Sequence, residues 1–167
     1  ELARFTPADR VGIVSLMDHT PGQRLFRDLS ALRSYVAKKR GMDDNDFAEH
    51  VANLKRLQSQ FGDKHEKGAV TEAKRLGAVL ASHDDTTRDH VVTSQSNGVG
   101  FAEFPTTMEA AQACQDHGIA VMMGAPNVIR GGSHSGNVAA MELAQADLLD
   151  ILSSDYVPGG LLMSAFR

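Results

Sequence analysis

The chain has 167 residues, of which 42% are hydrophobic and 23% charged, with a formal net charge of -4. That length can bury a real core and suits one domain, the composition is that of a soluble globular protein, and the acidic balance without a Lys/Arg stripe argues against nucleic acid or an anionic membrane as partner. No run approaches a membrane span, and the single cysteine, Cys114, excludes an internal disulfide and suits a reducing compartment, most simply the cytoplasm.

No secretion signal is visible, the first residue is Glu1 rather than Met, and the last stretch, residues 161–167, is apolar and helix-like. These features read as a piece of a longer protein.

Apolar runs alternate with helical patterns along the chain. Residues 11–17 (VGIVSLM) read as a buried strand. Leu25, Leu29, Leu32 and Val36 then fall at helical spacing. The acidic run at 43–46 marks the start of a second helix, carrying Phe47, Val51, Leu54 and Leu57. A third helix is expected over 64–76, ended by Gly77. A second strand covers 78–82, with a helix from about Thr86. A third strand covers 99–104, and its helix, 106–116, is closed by Gly118. A fourth strand, 119–123, leads into a Gly-rich loop and a helix over 137–146. A fifth strand covers 149–153, with a helix beginning near Pro158.

Strand then helix, repeated, predicts an α/β fold of parallel β/α units with right-handed crossovers. Strands that are apolar throughout suit a sheet covered on both faces. A doubly wound open sheet and part of an eight-stranded barrel both fit. The long helical insertion at about 23–76 is the main irregularity.

Polar residues gather just past the strands: Asp18, His19 and Thr20; His83, Asp84, Asp85 and Thr86; Glu103 with Thr106 and Thr107; Ser154, Asp155 and Tyr156. In a parallel barrel these ends share the rim where active sites are built. One His after a strand is ordinarily a cap or a core hydrogen-bonder; the same placement at successive strand ends points to a metal site. Two imidazoles and a carboxylate suit zinc with one position open for water, and zinc lowers the pKa of that water. An Asp beside metal and water can serve as general base. Asp84 and Asp85 are candidates to cap the following helix instead. His50, His65, His90 and His117 fall on predicted helices and are expected to face solvent, and Met122 and Met123 are expected in the core.

The loop at 124–137 (GAPNVIRGGSHSGN) joins a strand to a helix. Small residues let backbone approach a ligand, amides at a helix start favour anions, and Arg130 can grip phosphate. A flexible connector is the plain alternative. Arg130, Ser133 and His134 on one rim favour phosphate binding.

Five strings taken together carry a resemblance: SLMDHTPGQ at 15–23, LASHDDTT at 80–87, EFPTT at 103–107, MGAPNVIRGGSHSGN at 123–137 and LDILSSDYVP at 149–158. In order, and over essentially the whole chain, they resemble the phosphonate-metabolism amidohydrolases of the carbon–phosphorus lyase pathway. The resemblance implies a metal-dependent TIM barrel, with a divalent metal, zinc by preference. It implies a diphosphatase that cuts the triphosphate of a phosphorylated ribose methylphosphonate, releasing diphosphate and leaving the 5-phosphate. On that pattern His19 follows the fifth barrel strand and His83 the sixth, both as metal ligands. Asp155 follows the eighth as ligand and base, and Glu103 lies on the seventh, counted among the substrate-binding residues. Arg130, Gly131, Gly132, Ser133 and His134 form the substrate-binding segment.

The family pattern also has a His-x-His pair on the first strand and a ligand on the fourth. No such pair is present; His134 has only serines beside it, in a different element. The expectation is therefore the C-terminal half of the barrel, residues 1–167 as one incomplete domain. Its raw sheet edges and bare inner face would call for a partner, such as a second copy in a homo-oligomer. Two further readings stay open: a cyclic-amide hydrolase of the same superfamily, and a folded fragment without turnover.

Overall fold

The computed structural model describes residues 1–133 and 136–166, with backbone alone at 31, 35 and 37–40. Five strands form one parallel sheet: β1 (Ile13–Leu16), β2 (Val79–His83), β3 (Phe101–Glu103), β4 (Ala120–Gly124) and β5 (Ile151–Ser153). They lie side by side in chain order, β1-β2-β3-β4-β5. Right-handed crossovers that always step the same way put every connecting helix on one face. A doubly wound sheet would reverse its order partway, so this sheet is singly wound, as an arc of a barrel is.

Residues in register share a face. Val14 pairs Leu80, and Ala102 pairs Val121, and all four are buried. Against this outer face pack Ala73, Val91, Ala110, Ala113, Cys114 and Leu143 from the helices. The alanines let helix backbones come close to the sheet, and a fully buried side chain such as Leu143 stabilises by about 1.5–3 kcal/mol. The opposite face is only partly covered. Ile13 is 56% exposed, Val79 49% and Ile151 38%. The expectation of apolar strands covered on both sides holds only for the outer face.

The insertion differs from its expected form. It contains two α-helices, α1 (Leu29–Arg40) and α2 (Asp44–Leu76), where three were expected. The 33 residues of α2 span about 50 Å at 1.5 Å per residue. Gly62 and Gly68 do not break it, since each glycine among strong helix formers costs only about 1 kcal/mol. Both ends are as the sequence indicated. The Asp43 carboxylate accepts from the amides of Asn45 and Asp46, and Gly77 closes the helix in the left-handed region.

The helices α3 (Arg88–Asn97) and α4 (Met108–Asp116) return along the outer face, while α5 (Ala125–Arg130), α6 (Ala140–Gln145) and α7 (Gly160–Ala165) cluster after β4 and β5. The segment expected as a Gly-rich loop begins as α5, with a proline in its first turn and a left-handed Gly131 at its end. The expected start of the next helix at 137 shifts to Ala140.

The strand count also corrects the barrel numbering. β4 stands between the strand of Glu103 and the strand preceding Asp155. If Asp155 follows an eighth strand, consecutive order puts His19 after the fourth and His83 after the fifth. β4 ends in Gly124 and brings no His or acidic residue to the rim.

Candidate metal and phosphate site

Three strand ends turn sharply through left-handed residues: Asp84 (φ 58°) after β2, Phe104 (φ 57°) after β3 and Asp155 (φ 49°) after β5. Asp tolerates this region, whereas for Phe it is costly, and such strain gathers where a site needs a side chain aimed. The turns bring the polar residues past the strands to one rim.

His19 stands in the loop after β1, His83 at the end of β2. They meet on one oxygen of Asp84: His83 Nδ1 lies 2.7 Å and His19 Nε2 3.2 Å from Asp84 Oδ2. The two rings pack edge to face, centroids 5.4 Å apart, with Phe26 flanking His19 and Phe104 flanking His83. Asp84 is buried, with a side chain 4% exposed. Burial pushes its pKa up, but the hydrogen bonds and charges of His19 and His83 outweigh this and hold it below the usual carboxylate value.

One ligand atom from each of His19, His83 and Asp84 lies within 4.8 Å of the others. Two imidazoles and a carboxylate, with a place left over, are a donor set suited to zinc or a similar divalent ion. The carboxylate that meets the two histidines is Asp84. Among the described residues Asp155 joins no such cluster. The sequence signal for Asp84 is an Asp directly after His83, a placement that equally suits a helix cap. Neither Asp84 nor Asp85 caps α3: the Thr87 hydroxyl accepts from the His90 amide, and Thr107 does the same for α4.

Asp85 is fully buried and bound on both oxygens. Oδ2 accepts from the hydroxyls of Ser82 (2.6 Å) and Ser94 (3.0 Å), and Oδ1 accepts from Arg24, which also donates to the His83 carbonyl at 2.9 Å. Nothing in the spacing of Arg24 marks a loop arginine as inserted under a neighbouring strand. His90 is half-buried rather than solvent-facing, and its Nδ1 accepts from the Thr86 amide. Burial first, and the Arg24 charge second, hold its pKa below the usual value.

Beside the cluster opens a cavity of about 290 Å³, lined among others by His83, Asp84, Arg130, Gly132, Ser133, Asp155 and Tyr156. Of the six residues expected to bind substrate, it brings together Arg130, Gly132 and Ser133. Arg130 Nη2 donates to the Tyr156 hydroxyl at 3.0 Å. The Gly131 and Gly132 amides both donate to the Asn127 carbonyl and close α5. Glu103 does not line this cavity; its carboxylate accepts from the Ser15 hydroxyl on the inner face of the sheet. His134 lies outside the described residues. Met123 is core as expected, while Met122 shares the inner face with His83 and Glu103. No described helix is long and apolar enough to cross a membrane.

No family model matches the chain, and no solved structure does. Among curated proteins the chain is similar to the alpha-D-ribose 1-methylphosphonate 5-triphosphate diphosphatase of Escherichia coli (strain K12), with 48% identity over 164 residues. The match takes in 98% of this chain and 43% of that protein, so the chain spans less than half the length of its relative. The resemblance carried by the five strings extends over the whole chain.

Proposed function

We propose that this chain forms part of a metal-dependent diphosphatase of the amidohydrolase type, which hydrolyses alpha-D-ribose 1-methylphosphonate 5-triphosphate to its 5-phosphate and diphosphate in phosphonate breakdown. The 48% identity to a protein of that name supports the substrate. The observation that carries the chemistry is the junction of two sites: the His19–His83–Asp84 cluster opens onto the cavity that holds Arg130 and Asp155.

His19, His83 and Asp84 would hold a divalent ion, zinc by preference. Such an ion supplies Lewis-acid charge to a phosphoryl oxygen and makes a bound water more acidic. The rest falls to the chain. Arg130 offers a planar fork of N–H donors to phosphate oxygens, with Tyr156 holding one arm. Asp155, on the cavity wall, can take the proton of the attacking water, and the attack breaks the phosphoanhydride to release diphosphate. Proximity contributes by keeping the reacting phosphate between the cluster and Arg130. The singly wound arc supports a TIM barrel as the complete fold.

A second reading has its own support. The exposed inner-face residues Ile13, Val79 and Ile151 favour a folded unit that turns over nothing until further chain covers that face. Diphosphate release from the ribose triphosphate, with zinc supplied, tests both. Release that is lost in His83→Ala and Asp155→Asn upholds the hydrolase. Stoichiometric zinc without release upholds the silent unit, and absence of both zinc binding and release overturns the proposed chemistry.

A further inference from the structure

The two histidines come from separate segments, and something must fix the loop of one against the strand of the other. His19 lies in the stretch between Leu16, the last residue of β1, and Leu29, the first of α1. Its local ties include a turn closed by the Gly22 amide on the Phe26 carbonyl, ring packing on Phe26, and Asp18 accepting from the Thr20 amide, none of which reaches β2. Besides the His19 contact to Asp84 just past that strand, Arg24 reaches it. From the same loop it donates through one nitrogen to the His83 carbonyl and to the Asp85 carboxylate.

This contact is costly to build. Arg24 sits at φ 48°, a region that non-glycine residues seldom adopt. Its side chain is 16% exposed and that of Asp85 fully buried, so two charges are withdrawn from water. Buried pairs of this kind are poor sources of stability and can fix a unique arrangement. The Asp85 carboxylate is itself aimed by Ser82 and Ser94, which occupy Oδ2 and leave Oδ1 for Arg24.

We propose that Arg24 is a positioning residue: it straps the His19 loop to the end of β2 and so sets the approach of the two imidazoles at Asp84. The link to metal rests on the reading of His19, His83 and Asp84 as its ligands. The geometry of the rings does not, and can be tested without metal.

Removing Arg24 alone would leave Asp85 buried and unpaired, so the informative variant is R24Q/D85N, which removes both charges, beside R24K, which keeps them. The metal-free protein is read by NMR for the ring-to-ring contact between His19 and His83, and Co2+ is titrated by its visible absorption. R24Q/D85N is expected to keep its far-UV spectrum and cooperative unfolding, lose the ring contact, and bind Co2+ about 10–100-fold more weakly, as losses around ligand histidines do. R24K is expected to regain most of both signals. Ring contact and Co2+ affinity unchanged in R24Q/D85N would overturn the proposal. If the parent chain binds no Co2+, the metal reading falls, and the ring contact alone decides on Arg24.

Discussion

His19 and His83 pack edge to face with ring centroids 5.4 Å apart, although they belong to different strand ends. The shared partner that brings them together is Asp84, which contacts one nitrogen of each. No described hydrogen bond takes the other nitrogens, His19 Nδ1 and His83 Nε2.

Asp84→Ala is expected to lower zinc affinity at least about tenfold, whether Asp84 ligates or orients the histidines. Asp84→Asn separates the two roles. An amide still accepts from imidazole N–H but is a poor ligand, so near-parental affinity assigns orientation and a loss equal to that of alanine assigns ligation. Competition with a chromophoric chelator measures both.

The strand ends were legible because chemistry and pattern changed together there: apolar runs stop, and His, Asp and Thr begin. Their shared rim follows from parallel strands, which all end on the same side. The carboxylate partner was not legible. Asp84 and Asp85 are adjacent and alike in sequence, yet a left-handed φ at Asp84 turns one toward His19 and His83 while the other lies beneath Arg24. The partner of the Gly131 and Gly132 amides was not legible either: a Gly-rich segment shows that amides are present, not that the Asn127 carbonyl takes them.

His90 makes stability depend on pH in a defined direction. Its folded pKa lies below the usual value, mainly because burial disfavours the imidazolium and then because Arg24 is near. The unfolded chain therefore takes up a proton first as pH falls. The contribution of His90 is full above the ordinary histidine pKa of about 6.5 and is lost as pH falls through the depressed folded value. Urea unfolding is expected to show a smaller stability loss between about pH 7 and 5 in His90→Gln than in the parent. Equal slopes in the two proteins would refute this assignment.

Cys114 reports on opening of the outer core. It is fully buried on α4, and burial, with the nearby Asp85 and Asp150 charges, pushes its thiol up to about 12. A thiol that is both covered and protonated is inert, since the thiolate is the nucleophile. Labelling with a disulfide reagent near neutral pH is expected to be negligible in the native protein and complete in guanidinium. Its slow native-state rate should fall when folding is made more stable. Immediate stoichiometric labelling of the native protein would show that α4 does not cover the sheet as described.

Gly124 is expected to be irreplaceable for a steric reason. It is the last residue of β4, pairs with Ser153 on β5, and lies under the side chain of Asp155. A Cβ built on Gly124 would stand 2.7 Å from Asp155 Oδ2 and 3.1 Å from Asp155 Cβ. The carboxylate is the movable end, but the Cβ belongs to a residue already at φ 49°, so relief requires the turn after β5 to shift. Gly124→Ala should therefore cost about 1–3 kcal/mol, the usual range for overpacking. It should also move Asp155 out of the cavity it shares with His83 and Arg130. Because Asp84, not Asp155, meets the histidines, zinc affinity is expected to stay near the parental value while turnover falls sharply. Thermal unfolding, zinc titration and a diphosphate-release assay on one preparation separate these effects. Loss of zinc in step with turnover would instead place Asp155 among the ligands.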